Sequence, residues 1–198
     1  NFKLNKHKIF IICCGISRLV KNDSSILQSE IKKIDWILNN IDKKEVRKVI
    51  LFSTIDLYSK KKLKINEETN TEVSDYYSLT QLLYEKSMIS KFQKKLLILR
   101  LTGVYGELDK NNSTISKMIN QALYNNQIVL SNTFNIKRDY IYIDDLIQIL
   151  KKILKKNCHG IVNIGSFKSK SILSYAKLVS KYTGSKILIK SNNKNKRV

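Results

Sequence analysis

The segment VILFS, residues 49–53, is a run of large apolar side chains that ends in a hydroxyl residue. A continuous apolar run of this length is typical of a strand that is buried on both faces of a parallel sheet. Two further runs have the same character: IFIICCG at residues 9–15 and LLILRL at residues 96–101. The three runs predict three buried strands of one sheet.

Segments with helical periodicity separate these strands. Residues 26–38 carry apolar side chains at helical spacing, and Asp23 or Ser24 could cap them. A polar loop over residues 60–75 leads into a second helical segment around Tyr77. The resulting order βαβαβ needs crossover connections, which give a parallel, doubly wound sheet. We therefore predict an α/β, Rossmann-like fold.

Beyond the third strand the pattern changes to shorter elements. Residues 127–130 and 137–143 are short strand candidates, and helical segments alternate with them. We predict a truncated Rossmann-like core over residues 1–108 and a small C-terminal α/β substrate domain over residues 109–190, with elements that return to the core. Residues 191–198 are basic and rich in Asn, which predicts a disordered tail.

The chain is strongly basic, with 37 Lys and Arg against 16 Asp and Glu and a net charge of +21. The lysines are spread along the whole sequence, Asn and Ile are abundant, and proline is absent. AT-rich codons encode Lys, Asn and Ile, so genomic base composition explains the charge more simply than a nucleic-acid surface does. A basic nucleic-acid-binding protein stays a remote alternative because no recognition module accompanies the charge.

The three cysteines, Cys13, Cys14 and Cys158, have no metal-ligand spacing and are interpreted as small buried hydrophobic residues in a reducing compartment. No apolar run approaches the roughly 18 residues of a membrane span, and no signal-peptide pattern is seen. These features predict a soluble, cytoplasmic protein with no metal site and no membrane partner.

One helical stretch carries candidate chemistry. SDYYSLTQLLYE, residues 74–85, places Tyr77, Gln81 and Glu85 on one helix face. A tyrosine with a partner one turn later can exchange protons if its pKa is lowered from about 10. The same spacing is also typical of a core helix with an aromatic stripe. The segments FSTIDLYS, residues 52–59, and RDYIYIDD, residues 138–145, favour the catalytic interpretation.

In order and spacing, these three segments resemble the extended short-chain dehydrogenase/reductase family, the NAD-dependent epimerases and dehydratases of nucleotide sugars. The resemblance covers residues 9 to about 184. It implies that Thr54 and Tyr77 are catalytic, with Tyr77 as the acid/base while hydride moves at the sugar ring. The alternative for Thr54 is a strand-end hydroxyl that satisfies local backbone groups.

The resemblance also implies NAD or NADP as the cofactor and a nucleotide sugar as the substrate. Arg138 matches an arginine that contacts the diphosphate of that substrate. Small details lean toward 4-keto-6-deoxy-sugar reductases and epimerases, and a homodimer is among the expected partners. The positions that would contact the cofactor are Cys14, Gly15, Thr54, Gln81, Thr102, Gly103 and Val104.

Two features depart from the family pattern. The family carries a catalytic lysine where this chain has Gln81, and a unit charge at ~4 Å with an effective dielectric of ~20 is worth about 4 kcal/mol, or roughly three pKa units. No glycine-rich phosphate-binding turn precedes the first strand. We therefore predict a sheet that lacks its first βαβ unit, in an N-terminally truncated fragment that binds NAD(P) poorly. The rival hypothesis is a catalytically inactive family member that binds a nucleotide sugar or a protein partner.

Overall fold

The computed structural model describes residues 8–17, 24–59, 64–107, 109 and 113–190. The predicted tail and the candidate cap Asp23 lie outside the described residues. The chain divides into two compact units, Asn1–Thr102 with Ile153–Ile164 and Gly103–Lys152 with Gly165–Val198. In chain order the elements are β1 (Lys8–Ile12), α1 (Ser24–Asn40), β2 (Val46–Thr54), α2 (Tyr76–Phe92), β3 (Leu96–Leu101), β4 (Gly103–Tyr105), α3 (Thr114–Asn125), β5 (Gln127–Leu130), β6 (Lys137–Arg138), β7 (Tyr140–Tyr142), α4 (Ile143–Lys155), β8 (Gly160–Ile164), β9 (Lys170–Ser171), α5 (Ile172–Thr183) and β10 (Lys186–Ile189).

The first unit is built on a four-stranded sheet in the order β1-β2-β3-β8, and all its neighbouring strands are parallel. Alternate residues of β2 and β3 on one face pack against buried residues of the connecting helices, such as Ile34 on α1 and Met88 on α2. This arrangement confirms the predicted α/β fold with a parallel sheet.

The strand predicted within residues 9–15 is present as β1, but its expected burial on both faces is wrong. β1 stops at Ile12, and Ile11 is 46% exposed. Within the described sheet β1 is an end strand with β2 as its neighbour, so its apolar side chains are covered less than those of the inner strands. By contrast, β3 spans the predicted residues 96–101, and five of its six residues are buried.

The prediction that the cysteines are small buried residues is also wrong. Cys13 is exposed, and Cys14 and Cys158 are half-buried. Because β1 ends at Ile12, Cys13 and Cys14 belong to the segment that follows it, and Cys158 lies between α4 and β8. All three thiols are free.

In the second unit, α3 and α5 share a core with the parallel pair β5–β10. β4 pairs with β7 in parallel, and β6 pairs with β9 in antiparallel fashion. Two expectations are corrected here. The predicted loop after β3 contains β4, and the predicted strand over 137–143 is divided into β6 and β7 before α4 begins at Ile143.

Local side-chain signals fix the helix ends. α2 begins with a capping box in which Asp75 and Ser78 satisfy each other's backbone N–H groups. Ser171 caps α5, as predicted, and α5 ends at Gly184, whose φ is +73°. Asp144 and Asp145 lie in the first turn of α4, where negative charge favours the helix dipole. Across the described ranges, no helix is long and apolar enough to cross a membrane.

Candidate active site

Predicted site residues follow three neighbouring strands of the first unit. Gly15 lies three residues after β1, Thr54 ends β2, and Thr102 follows β3 directly. Because the three strands are parallel, their carboxyl ends meet at one edge of the sheet. Ligands of open α/β sheets bind at this edge.

Thr54 is 4% exposed and hydrogen-bonds locally. Its Oγ1 accepts from the backbone N–H of Asp56 at 3.1 Å and donates to Oδ2 of Asp56 at 3.2 Å. These contacts cap the short 3₁₀ turn Ile55–Leu57. The Thr54 hydroxyl therefore satisfies a local backbone N–H group, as the alternative interpretation expected. Its catalytic role stays a prediction.

The stripe of Tyr77, Gln81 and Glu85 on α2 becomes more buried along the helix. Tyr77 is half-buried, Gln81 is 6% exposed, and Glu85 is 1% exposed. Residues four apart lie on one helix face, so the stripe enters the protein interior progressively. Tyr77 lies in the first turn of α2, which the Asp75 capping box fixes.

Gln81 packs directly against the segment that follows β1. Its Nε2 donates to the carbonyl of Cys14 at 3.4 Å. Gly15 has φ of +121°, and a Cβ at this position would lie 2.1 Å from Nε2 of Gln81. Only glycine satisfies both the backbone conformation and the close approach.

Two buried side-chain polar atoms have no hydrogen-bond partner in the described part of the chain: Oε1 of Gln81 and Oγ1 of Thr102. Leaving such an atom unsatisfied costs about 1–3 kcal/mol, so native proteins rarely keep one without a reason. Both residues belong to the predicted cofactor contacts. The residues present therefore fit a ligand that brings hydrogen-bonding groups to this edge of the sheet.

A buried ion pair ties α2 to the sheet. Arg100 on β3 donates from Nε and Nη2 to the two carboxylate oxygens of Glu85 at 2.9 and 2.6 Å, and Ser53 Oγ donates to Oε1 of Glu85 at 2.6 Å. Burial by itself would lower the pKa of Arg100, but the hydrogen bonds and charge of Glu85 raise it. We call Ser53, Glu85 and Arg100 together the clamp.

Two further contacts extend from this region. The Arg100 guanidinium lies 4.7 Å from the centre of the Tyr58 ring, and Tyr58 donates to Oδ1 of Asn163 on β8 at 2.8 Å. Tyr84, also on α2, donates to the buried carboxylate of Glu30 at 2.9 Å. Burial, followed by the hydrogen bond and charge of Glu30, raises the pKa of Tyr84.

The remaining predicted site residues belong to the second unit. Gly103 and Val104 form part of β4, and a Cβ on Gly103 would lie 2.5 Å from the Tyr140 ring. Arg138 lines a cavity of about 300 Å³ within this unit. Its other polar lining residues include Lys117, Gln121, Ser131, Thr133 and Tyr140.

This geometry agrees with the comparisons to known proteins. Residues 9–165 match the profile of the NAD dependent epimerase/dehydratase family. An uncharacterized UDP-glucose epimerase of Bacillus subtilis is 25% identical over 170 residues, which are 83% of this chain and 54% of that protein. The crystal structure of UDP-N-acetylglucosamine 4-epimerase from Bacillus cereus superposes with a TM-score of 0.76 and 25% identity, over 92% of this chain and 65% of that one.

A third comparison supports the fold. UDP-glucuronic acid 4-epimerase from Bacillus cereus, solved in complex with NAD, superposes with a TM-score of 0.79 and 24% identity, over 90% of this chain and 60% of that one. An α/β unit with a parallel sheet is what these structures share with this chain. The chain belongs to the NAD dependent epimerase/dehydratase family. It spans about half of the length of the curated relatives it matches.

Sequence reasoning missed several residues that the structure brings to these regions. The partners of Glu85, namely Ser53 and Arg100, come from two different strands, and no local spacing identifies them. Lys117 and Gln121 lie one turn apart on α3, and this spacing of two polar side chains on one helix face was the available signal.

Proposed function

We propose that this chain forms part of an NAD(P)-dependent enzyme that transfers hydride at the ring of a nucleotide sugar, in an epimerase/dehydratase or 4-keto-6-deoxy-sugar reductase lineage. The observation that carries the proposal is the pair of unsatisfied buried atoms, Gln81 Oε1 and Thr102 Oγ1. Both lie at positions that the family resemblance assigns to the cofactor.

The cofactor would be held at the carboxyl edge of the sheet. Gln81 Oε1 offers an acceptor, Thr102 Oγ1 offers a donor and an acceptor, and Gly15 lets the backbone approach closely. When bound, NAD(P) supplies the hydride exchange. The homologous UDP-glucuronic acid 4-epimerase is described in complex with NAD, which supports the same cofactor here.

Tyr77 would move the proton of the sugar oxygen. It is half-buried at the first turn of α2, so its phenol is shielded without being enclosed. Thr54 would hydrogen-bond the same oxygen. For that purpose its hydroxyl proton would leave Oδ2 of Asp56, because one hydroxyl has one proton to donate.

The nucleotide part of the substrate would occupy the cavity of the second unit. Arg138 offers a planar fork that suits a diphosphate, and Lys117 adds a second positive charge to the lining. Serine and threonine hydroxyls at positions 131 and 133 provide further hydrogen bonds.

The central experiment measures NAD(P)H-linked turnover with a panel of nucleotide sugars and their 4-keto derivatives, for the protein and for Tyr77→Phe. General acid–base catalysis contributes about 10²–10⁴-fold, so Tyr77→Phe should lower turnover by at least 100-fold. Tyr76→Phe is the matched control, since it removes a phenol from the adjacent residue of the same helix. Equal rates for the two variants would refute the role of Tyr77.

Gln81→Lys tests the missing charge in the same assay. Recovering half of the ~4 kcal/mol of charge stabilisation would raise a tyrosinate-limited rate roughly thirtyfold. An active protein whose rate does not change in this variant would contradict the importance of the charge.

A second candidate function is binding of the nucleotide sugar without turnover, and the neutral Gln81 favours it. Inactivity of the protein and of Gln81→Lys, with nucleotide-sugar binding retained, would support this candidate. Arg138→Ala should then abolish binding, whereas Lys137→Ala should preserve it, because Lys137 is the exposed neighbour of Arg138 on β6.

A further inference from the structure

The side-chain amide of Gln81 has a defined orientation. The carbonyl of Cys14 can only accept a hydrogen bond, so the Gln81 atom that faces it at 3.4 Å is the NH₂ nitrogen. Oε1 is therefore turned away from Cys14. It is buried and has no partner among the described residues.

Gln81 places a neutral amide, with its oxygen turned away from Cys14, one helical turn after Tyr77. Under the proposed function, the ring that exchanges hydride must lie beside Tyr77, because proton and hydride move at the same sugar carbon and its oxygen. Side chains four residues apart on a helix are neighbours. A bound cofactor's ring would therefore be close to the amide of Gln81.

The buried charges around α2 are compensated within the first unit. Arg100 is paired with Glu85, and Glu30 is paired with Lys33 at 2.6 Å as well as with the Tyr84 hydroxyl. The partial negative charge of Gln81 Oε1 thus remains uncompensated within the described residues. Such an oxygen stabilises a positive charge, whereas an ammonium at the same position would repel it.

We propose that Gln81 makes this site bind the oxidised dinucleotide more tightly than the reduced one. This inference rests on the proposed function. The nicotinamide ring carries one positive charge in NAD⁺ and becomes neutral when C4 accepts a hydride, which is one proton with two electrons. A neutral acceptor at position 81 favours the charged ring, so the bound cofactor is held in its hydride-accepting form.

The test compares the dissociation constants of NAD⁺ and NADH for the protein, Gln81→Lys and Gln81→Met. Calorimetry measures NAD⁺ and nicotinamide fluorescence measures NADH, at concentrations into the millimolar range. Gln81→Lys should lower the ratio of Kd for NADH to Kd for NAD⁺ by about tenfold or more. Gln81→Met, which is neutral but lacks the acceptor, should give an intermediate ratio.

ADP-ribose, which lacks the nicotinamide ring, is the matched ligand control. Its Kd should agree within about twofold among the three proteins. An unchanged NADH-to-NAD⁺ ratio in the two variants, with ADP-ribose still bound, would overturn the inference and leave the proposed cofactor site intact. Failure of the unmodified protein to bind ADP-ribose, NAD⁺ and NADH would overturn the proposed function itself.

Discussion

Removing the Glu85 carboxylate should destabilise the first unit strongly. In Glu85→Ala, Arg100 loses two hydrogen bonds and its ion-pair partner, and Ser53 loses its acceptor. Arg100 is 3% exposed, so water does not replace the lost partner. Breaking a buried pair by removing one partner costs about 3–5 kcal/mol, a large part of the roughly 5–15 kcal/mol that stabilises a domain.

Urea unfolding at pH 7, followed by tryptophan fluorescence, measures this loss in the right part of the protein. Trp36 is the single tryptophan of the chain and lies on α1 of the first unit. A loss of about 4 kcal/mol would also lower Tm by roughly 8–16 °C for a chain of this size. Because the pair is buried, the difference should persist in 1 M salt.

The control replaces both partners with apolar residues, Glu85→Leu with Arg100→Met. No buried charge is then left uncompensated, so this double variant should be within about 1–2 kcal/mol of the unmodified protein. If Glu85→Ala cost less than about 1 kcal/mol, or if the double variant were as unstable as the single one, the clamp would not be what holds α2.

Two further outcomes are expected. The pKa of Tyr84 is higher in the folded protein than in the unfolded chain, so Tyr84 stabilises the fold fully below about pH 10 and progressively less as the pH rises further. The urea midpoint of the unmodified protein should therefore fall between about pH 10 and 11.5. In Tyr84→Phe, which has no phenol to ionise, this fall should be smaller. Gly15→Ala should lower the free energy of unfolding by about 1–3 kcal/mol, because alanine is strained at this positive φ and its Cβ would contact Gln81. Adding Gln81→Ser to the same chain should remove the contact with the new Cβ and recover part of the loss. Thermal melts measure both changes.

Structural features that depend on neighbouring residues in the sequence were predicted correctly, whereas features that depend on distant segments were not. The inner strand β3 could be predicted to the residue, because a run of apolar side chains bounded by polar ones is a local signal. The burial of β1 could not, since it depends on which strands lie beside it. β4 was missed because it is three residues long and pairs with β7, whose residues are 37 positions further along the chain.

In the candidate site, too, spacing within one helix could be predicted and contacts between distant segments could not. Tyr77, Gln81 and Glu85 were found from their spacing on one helix, but the partners of Glu85 come from strands that only the fold brings together. The unsatisfied oxygen of Gln81 could not be inferred either, because it depends on how the amide is oriented by the carbonyl of Cys14.

The stripe on α2 separates the residues proposed to meet a ligand, Tyr77 and Gln81, from Glu85, which holds the helix to the sheet. Glu85 is fully buried and bound to two strands, whereas Gln81 makes one long hydrogen bond and Tyr77 is half-buried. A change at position 81 therefore alters charge and hydrogen bonding toward a ligand without removing the contacts that orient the helix. The sheet and α2 keep their arrangement with Gln81 in place, so the proposed effect of Gln81 is expected in cofactor preference and rate rather than in the free energy of unfolding.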